Sequence, residues 1–234
     1  MLGQRLSANG FDCVVAPLIE VRTLVVPSVL VNHQHEENLT RALAVLPDIV
    51  IVLSAHAARA YLEHARFNTP SDLLYVAVGE QTAAVLRAAQ GLQVAVPSIP
   101  TSEGVLAMPQ IKRLAAGDNV WIVAGVGGRE TLMQALYAER HCRVVKLALY
   151  ERQEAATLAS FDVAADIDIV EISSMQGLQT FAAYWRARHD HLSIYLVVPS
   201  ARIAQGAKAL GFTRIIIAQG ASADAVLAAL QQAA

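Results

Sequence analysis

Cysteine is scarce in this chain of 234 residues: there are two, Cys13 and Cys142, far apart. A disulfide framework is not expected, and reduced thiols in a cytoplasmic protein are the simpler reading. Charge is thin as well. Charged residues make up 16% of the chain, the formal net charge is −2, and Lys and Arg are spread along its length. Nucleic-acid binding needs a clustered basic surface, and none is visible. No apolar run reaches the roughly 18 uncharged residues of a membrane span. Met1 to Gly10 lacks the basic head and apolar stretch of a signal peptide. There is also no Gly-x-Ser-x-Gly elbow and no phosphate-binding Lys loop.

What remains is abundant apolar material, 55% of residues, in runs of strand length alternating with Ala- and Leu-rich helical patterns. Strands are expected at Phe11–Ala16, Asp48–Leu53, Leu74–Val78, Gln93–Val96, Asn119–Ala124, Arg143–Leu149, Ile167–Ile172, Ser193–Val198 and Thr213–Ala218. Helices are expected at Ala57–Ala65, Gln81–Ala89, Arg129–Glu139, Gly177–Arg188, Ala201–Leu210 and Ala223–Gln232. Continuous Val/Ile runs mean strands buried on both faces, hence parallel sheets covered by helices.

The chain also repeats itself at an offset of 120. Ser54 maps to Ser174, Tyr61 to Phe181, Gly91 to Gly211 and Ser102 to Ser222, without a gap. Chance similarity in an Ala-rich chain is the alternative, but aligned strands, turns and glycines favour duplication. The fold expected is α/β, with two similar parallel-sheet domains of flavodoxin-like or Rossmann-like type. Leu18–Pro27 and Val144–Gln153 read as extended, and a new helix is expected near Glu36. The expected division is residues 1–20 with 153–234 as one discontinuous domain and 28–143 as an inserted one. Residues 21–27 and 144–152 would form a two-stranded antiparallel linker that acts as a hinge.

Small hydroxyl residues and glycines recur where strands end and helices begin: Ser54-Ala55, Gly79 to Thr82, Gly125 to Arg129, Ser173-Ser174 and Pro199 to Arg202. In parallel sheets this edge is where ligands bind. Helix starts offer unpaired N–H donors and partial positive charge, which favour carboxylates or phosphates. Each Ser or Thr is also explained as a plain N-cap, worth about 1 kcal/mol. The loop Gly125-Val126-Gly127-Gly128-Arg129-Glu130 lacks the third glycine of a dinucleotide fingerprint, and no acidic residue follows about 20 positions later, so a nicotinamide cofactor is not expected. Its glycines would instead let backbone amides approach an anion. Tyr150 is either amphipathic filler or a proton donor. His33, His35, His189 and His191 have no further ligand at sensible spacing, and no metal site is expected.

These strand ends resemble those of the uroporphyrinogen-III synthase family from about Leu6 to the C-terminus. The matching pieces are GFDCVVAPLIEV (10–21), IVLSAHAARAYL (51–62), VAVGEQTAAVL (76–86), PTSEGVLAMPQI (100–111), VWIVAGVGGRETLMQAL (120–136), LALYER (147–152), IVEISSMQGLQTF (169–181) and VVPSARIAQGAKALGF (197–212). The resemblance implies two α/β domains joined by a two-stranded connector. It implies a lyase that closes hydroxymethylbilane, a linear tetrapyrrole polycarboxylate, with loss of water and inversion of the last pyrrole, without cofactor or metal. It also implies a monomer. By the same resemblance Tyr150 is the acid at the departing hydroxyl, and Ser54, Thr82, Ser173, Ser174 and Ser200 line the cleft. Ala55, Gly127, Gly128, Met175, Gln176, Ala201 and Arg202 complete the expected substrate contacts, mainly through backbone amides. Family members usually begin with a strand and a Thr-Arg-Pro motif, whereas this chain starts inside the helix that comes next. The first domain is therefore expected to lack its first strand, with reduced stability and activity. Two competing readings remain at this point: a non-catalytic two-lobed anion-binding protein, and an inactive homologue of the synthase.

Overall fold

Ile49-Val50-Ile51-Val52 shows why parallel sheets form here: all four side chains are buried, and they alternate between two separate cores. Val50 and Val52 join Tyr75, Trp121 and Val123 on one face, while Ile49 and Ile51 join Val76, Val120 and Ile122 on the other. A strand enclosed on both sides has no solvent face on which polar residues would be favoured.

The structure is a computed structural model and describes residues 2–32, 35–36, 39–64, 72–89, 91–127, 130–155, 167–189 and 192–233. The chain separates into two units, Met1–Glu20 with Gln153–Ala234, and Val21–Arg152. In chain order the elements are α1 (Leu2–Ser7), β1 (Ile19–Val31), β2 (His35–Glu36), α2 (Leu39–Ala42), β3 (Ile49–Val52), α3 (Ala55–Glu63), β4 (Leu74–Ala77), α4 (Glu80–Arg87) and β5 (Gln93–Ala95). They continue with α5 (Ser102–Ala107), α6 (Pro109–Lys112), β6 (Asn119–Gly125), α7 (Thr131–Gln134), β7 (Arg143–Glu154), β8 (Ile169–Glu171), α8 (Met175–Arg186), β9 (Tyr195–Val198), α9 (Ala201–Ala209), β10 (Arg214–Ile217) and α10 (Ala223–Ala233).

The larger sheet has seven strands in the order β2-β1-β7-β6-β3-β4-β5. The pairs from β7 to β5 are all parallel. Bonds from Asn32 to the Val144 carbonyl and from Ala155 to the Leu18 carbonyl mark the two ends of the β1–β7 pair, which is thus antiparallel. The smaller sheet has three parallel strands, β10-β9-β8, among the described residues. Phe181, Trp185 and Phe212 fill the core on one side of it, and Leu6, Val226 and Leu230 that on the other.

The repeat holds element by element. The series β3-α3-β4-α4-β5-α5 is answered by β8-α8-β9-α9-β10-α10, with α3 starting at Ala55 and α8 at Met175, 120 residues on. Gly91 and Gly211 both take left-handed φ, 85° and 90°, where the chain turns after α4 and α9.

Four expectations need correction. Phe11–Ala16 is not a strand. Its sequence suits one, but a strand exists only with a partner; within the described residues the three-stranded sheet ends at β8, and Val14 and Val15 stand 65% and 77% exposed. Glu36 does not start a helix but lies in β2, opposite Leu30. Asn32 takes a left-handed φ of 49° and turns the chain back on β1, so the extended segment runs to Val31 rather than stopping at Pro27. The helix expected over Arg129–Glu139 is α7 followed by a π-helical segment, Ala135–Glu139.

A buried amide ties the start of β6 to its neighbours. Asn119, 3% exposed, donates to the Val45 and Leu46 carbonyls at 2.8 and 2.9 Å and accepts from Arg143 at 2.9 Å. Asn119→Ala leaves three polar groups without this partner. It is expected to lower unfolding stability by about 2 kcal/mol in urea melts. Burial pushes the Glu171 carboxyl on β8 above its ordinary 4.5. The folded form then binds its proton more tightly than the unfolded chain does. The associated stability is present below the ordinary value and is lost as pH rises through the raised one. Glu171→Gln should therefore gain stability over the parent as pH moves from acid to neutral, read from urea midpoints.

Candidate functional site

A parallel strand pair with regular register would alternate Leu149 and Tyr150 between faces. Here β6 and β7 run in register from Asn119 opposite Arg143 to Ala124 opposite Ala148, and then Gly125 pairs with Tyr150. One extra residue on β7 makes a bulge, which bends the strand and re-aims the side chains beyond it. Tyr150 accordingly packs in the same core as Leu147 and Leu149, with Val50, Val52 and Trp121. The Val126 N–H donates to the Tyr150 carbonyl at 2.7 Å and holds the backbone there.

The ring is 4% exposed, and its hydroxyl meets Ser54 just beyond the carboxyl end of β3. Ser54 has extended backbone, φ −162° and ψ 159°, and its Oγ accepts the Ala57 N–H at 3.1 Å as N-cap of α3. The same Oγ donates to the Tyr150 hydroxyl oxygen at 3.1 Å. Tyr150 thus accepts a hydrogen bond and keeps its own proton for another partner. His56, exposed in the first turn of α3, stands with its ring centroid 5.8 Å from that of Tyr150, and the Arg152 guanidinium carbon lies 5.4 Å from the tyrosine centroid. His56 and Arg152 were not among the residues expected from the sequence. Their spacing, two beyond Ser54 and two beyond Tyr150, was the available signal.

The other candidates of this unit are placed separately. Ala55 opens α3 and is half-buried. Thr82 lies in the first turn of α4 but is 4% exposed, while Gly79 caps that helix without a side chain. Gly127 has a left-handed φ of 70°, and its carbonyl accepts from Lys146 at 3.1 Å, a lysine only 6% exposed. Gly128 and Arg129 lie outside the described residues.

The repeat rebuilds the same edge in the other unit. Ser174 caps α8, accepting the Gly177 N–H at 3.0 Å, with Ser173 exposed before it. Met175 and Gln176 form the first turn, and the Met175 side chain lies against Gly206 of α9. Ser200 precedes α9 with extended backbone, yet its hydroxyl makes no capping bond; Ala201 and Arg202 come next, both exposed.

The chemistry available is that of neutral donors at helix starts, a tyrosine hydroxyl backed by a serine, and one arginine over the ring. Each sheet carries such donors on its own carboxyl edge, and N–H groups with the helix dipole suit anions in general. Among the described residues no group of three or more His, Cys, Asp or Glu side chains comes together as a metal site.

Comparison with known proteins bears on the family of the chain. A family model described as Uroporphyrinogen-III synthase HemD matches residues 2–228. The chain is 32% identical over 196 residues to a uroporphyrinogen-III synthase of Salmonella typhimurium, covering 79% of this chain and 78% of that protein. It is 31% identical over 195 residues to that of Escherichia coli K12, with the same coverage of both. The crystal structure of uroporphyrinogen-III synthetase from Helicobacter pylori 26695 superposes with a TM-score of 0.63 over 93% of this chain and 91% of that one. At 15% identity it speaks for the fold alone, a mixed α/β fold built mainly on parallel sheet. With the family model spanning nearly the whole length and two relatives above 30% identity, this chain belongs to the uroporphyrinogen-III synthase family.

Proposed function

We propose that Tyr150 is the proton donor with which this chain, a cyclising lyase of its family, closes hydroxymethylbilane to uroporphyrinogen III. The observation that carries the reading is the Ser54–Tyr150 pair at 3.1 Å. Departure of the substrate hydroxyl as water requires a proton, and Tyr150 holds one that its bond with Ser54 does not use. As that proton leaves, negative charge gathers on the phenolic oxygen, where the Ser54 O–H already points. Arg152 near the ring favours the same charge.

Loss of water leaves a cationic azafulvene, which the free bilane closes without inverting its last ring. The protein's task is then mainly to hold the ends so that the inverted closure, through a spiro intermediate, is nearest. The substrate's acetate and propionate groups are taken by backbone N–H groups at the starts of α3, α8 and α9: Ala55, Met175, Gln176 and Ala201. Ser173, Ser200 and Arg202 add side-chain donors. Neutral donors of this kind hold a polyanion without a basic patch, consistent with a net charge of −2.

Supplied with hydroxymethylbilane, the protein is expected to yield the III isomer. Isomer I alone, at the spontaneous rate, would exclude the cyclase reading. Tyr150→Phe should lower kcat by about 100-fold with little change in KM; an unchanged kcat would remove Tyr150 from the mechanism.

A further inference from the structure

We propose that Gly125 is a positioning residue for Tyr150, kept free of a side chain so that the phenol can reach Ser54. This rests on Tyr150 being the acid of the reaction. A Cβ built on Gly125 would lie 2.6 Å from Tyr150 Cζ, 2.7 Å from Cε2 and 3.1 Å from Cε1. Real Cβ atoms do not approach carbon so closely. The closest atom is the one that carries the hydroxyl, so any relief moves the reacting end of the ring.

The backbone cannot give way easily. Gly125 pairs with Tyr150 at the bulge, and the Val126 N–H binds the Tyr150 carbonyl at 2.7 Å. Relief must therefore come from turning the tyrosine side chain, which lengthens its 3.1 Å bond to Ser54. Gly125 is not here for backbone freedom, because it is absent from the glycines with positive φ. Two other glycines are as tightly approached, but by different groups: Gly104 faces the Ile99 carbonyl, and Gly206 faces the flexible end of Met175. Among the described glycines, only at Gly125 is the neighbour the side chain assigned to chemistry. The first glycine of the 125–130 loop thus makes room for the acid rather than for an anion.

A cycle of Gly125→Ala, Tyr150→Phe and the double variant tests this, reading kcat, KM and melting temperature. Gly125→Ala should lower kcat by at least about tenfold, towards the loss in Tyr150→Phe, with KM little changed. In the Tyr150→Phe background the same alanine should change kcat by no more than about twofold, since the hydroxyl it displaces is already gone. An undiminished kcat in Gly125→Ala alongside an impaired Tyr150→Phe would overturn the positioning role and leave the acid standing. Equal losses in both backgrounds would make Gly125 merely structural. A fully active Tyr150→Phe would remove the acid itself, and this proposal with it. Should Gly125→Ala be too unstable to assay, adding Tyr150→Ala should restore the melting temperature of Tyr150→Ala alone. Failure to do so would put the clash elsewhere and refute the proposal.

Discussion

The place of Tyr150 depends on a mismatch of one residue between two hydrogen-bonded strands. Strand alternation is rigid, so a side chain changes face only if the pairing slips or gains a residue. In β7 the gain occurs opposite Gly125, and it turns the phenol into the core that also receives the end of β3. Ser54 waits there because β3 stops at Val52 and α3 begins at Ala55, leaving the serine extended between them. The hydroxyl pair is therefore a consequence of register, and so are the contacts of Ser54, His56 and Arg152 with Tyr150.

Beyond that pair, the helix starts present mainly backbone donors. Ser54 and Ser174 each accept one N–H in capping, which orders α3 and α8 and leaves other N–H groups of the first turn free. Ser200 does not cap, so its hydroxyl keeps its full capacity for another partner. Such donors are fixed in direction before any ligand arrives, and they need no counter-charges to keep them in place. A dense cluster of lysines would repel itself and weaken the fold. Lys146, a buried cation, is answered by the Gly127 carbonyl.

The two edges are alike because the same order of strands and helices recurs 120 residues on, and the differences between units show the limits of that repeat. In the larger sheet β6 stands between β7 and β3, so long apolar strands on either side of it are fully paired. The smaller sheet, within the described residues, ends at β8, and Phe11–Ala16 forms no strand although its composition is that of one. Propensity states a preference, while pairing decides whether it is realised.

Much was legible in the amino-acid order alone. Asp48–Leu53 and Asn119–Ala124 read as doubly covered strands because burial on both faces leaves a continuous apolar run, and the strands found are Ile49–Val52 and Asn119–Gly125. Helical patterns placed α8, α9 and α10, the 120-residue offset paired Ser54 with Ser174 and Ser102 with Ser222, and Ser54 and Ser174 stood out as caps before helices. These features are local, set by neighbours a few positions away. Tertiary structure alone decided that Asn32 turns β1 back on itself, that Thr82 is buried, and that Gly125, Tyr150 and Ser54 meet. A bulge is the reason: it is a relation between two strands that lie 25 residues apart at Gly125 and Tyr150, and neither strand carries it by itself.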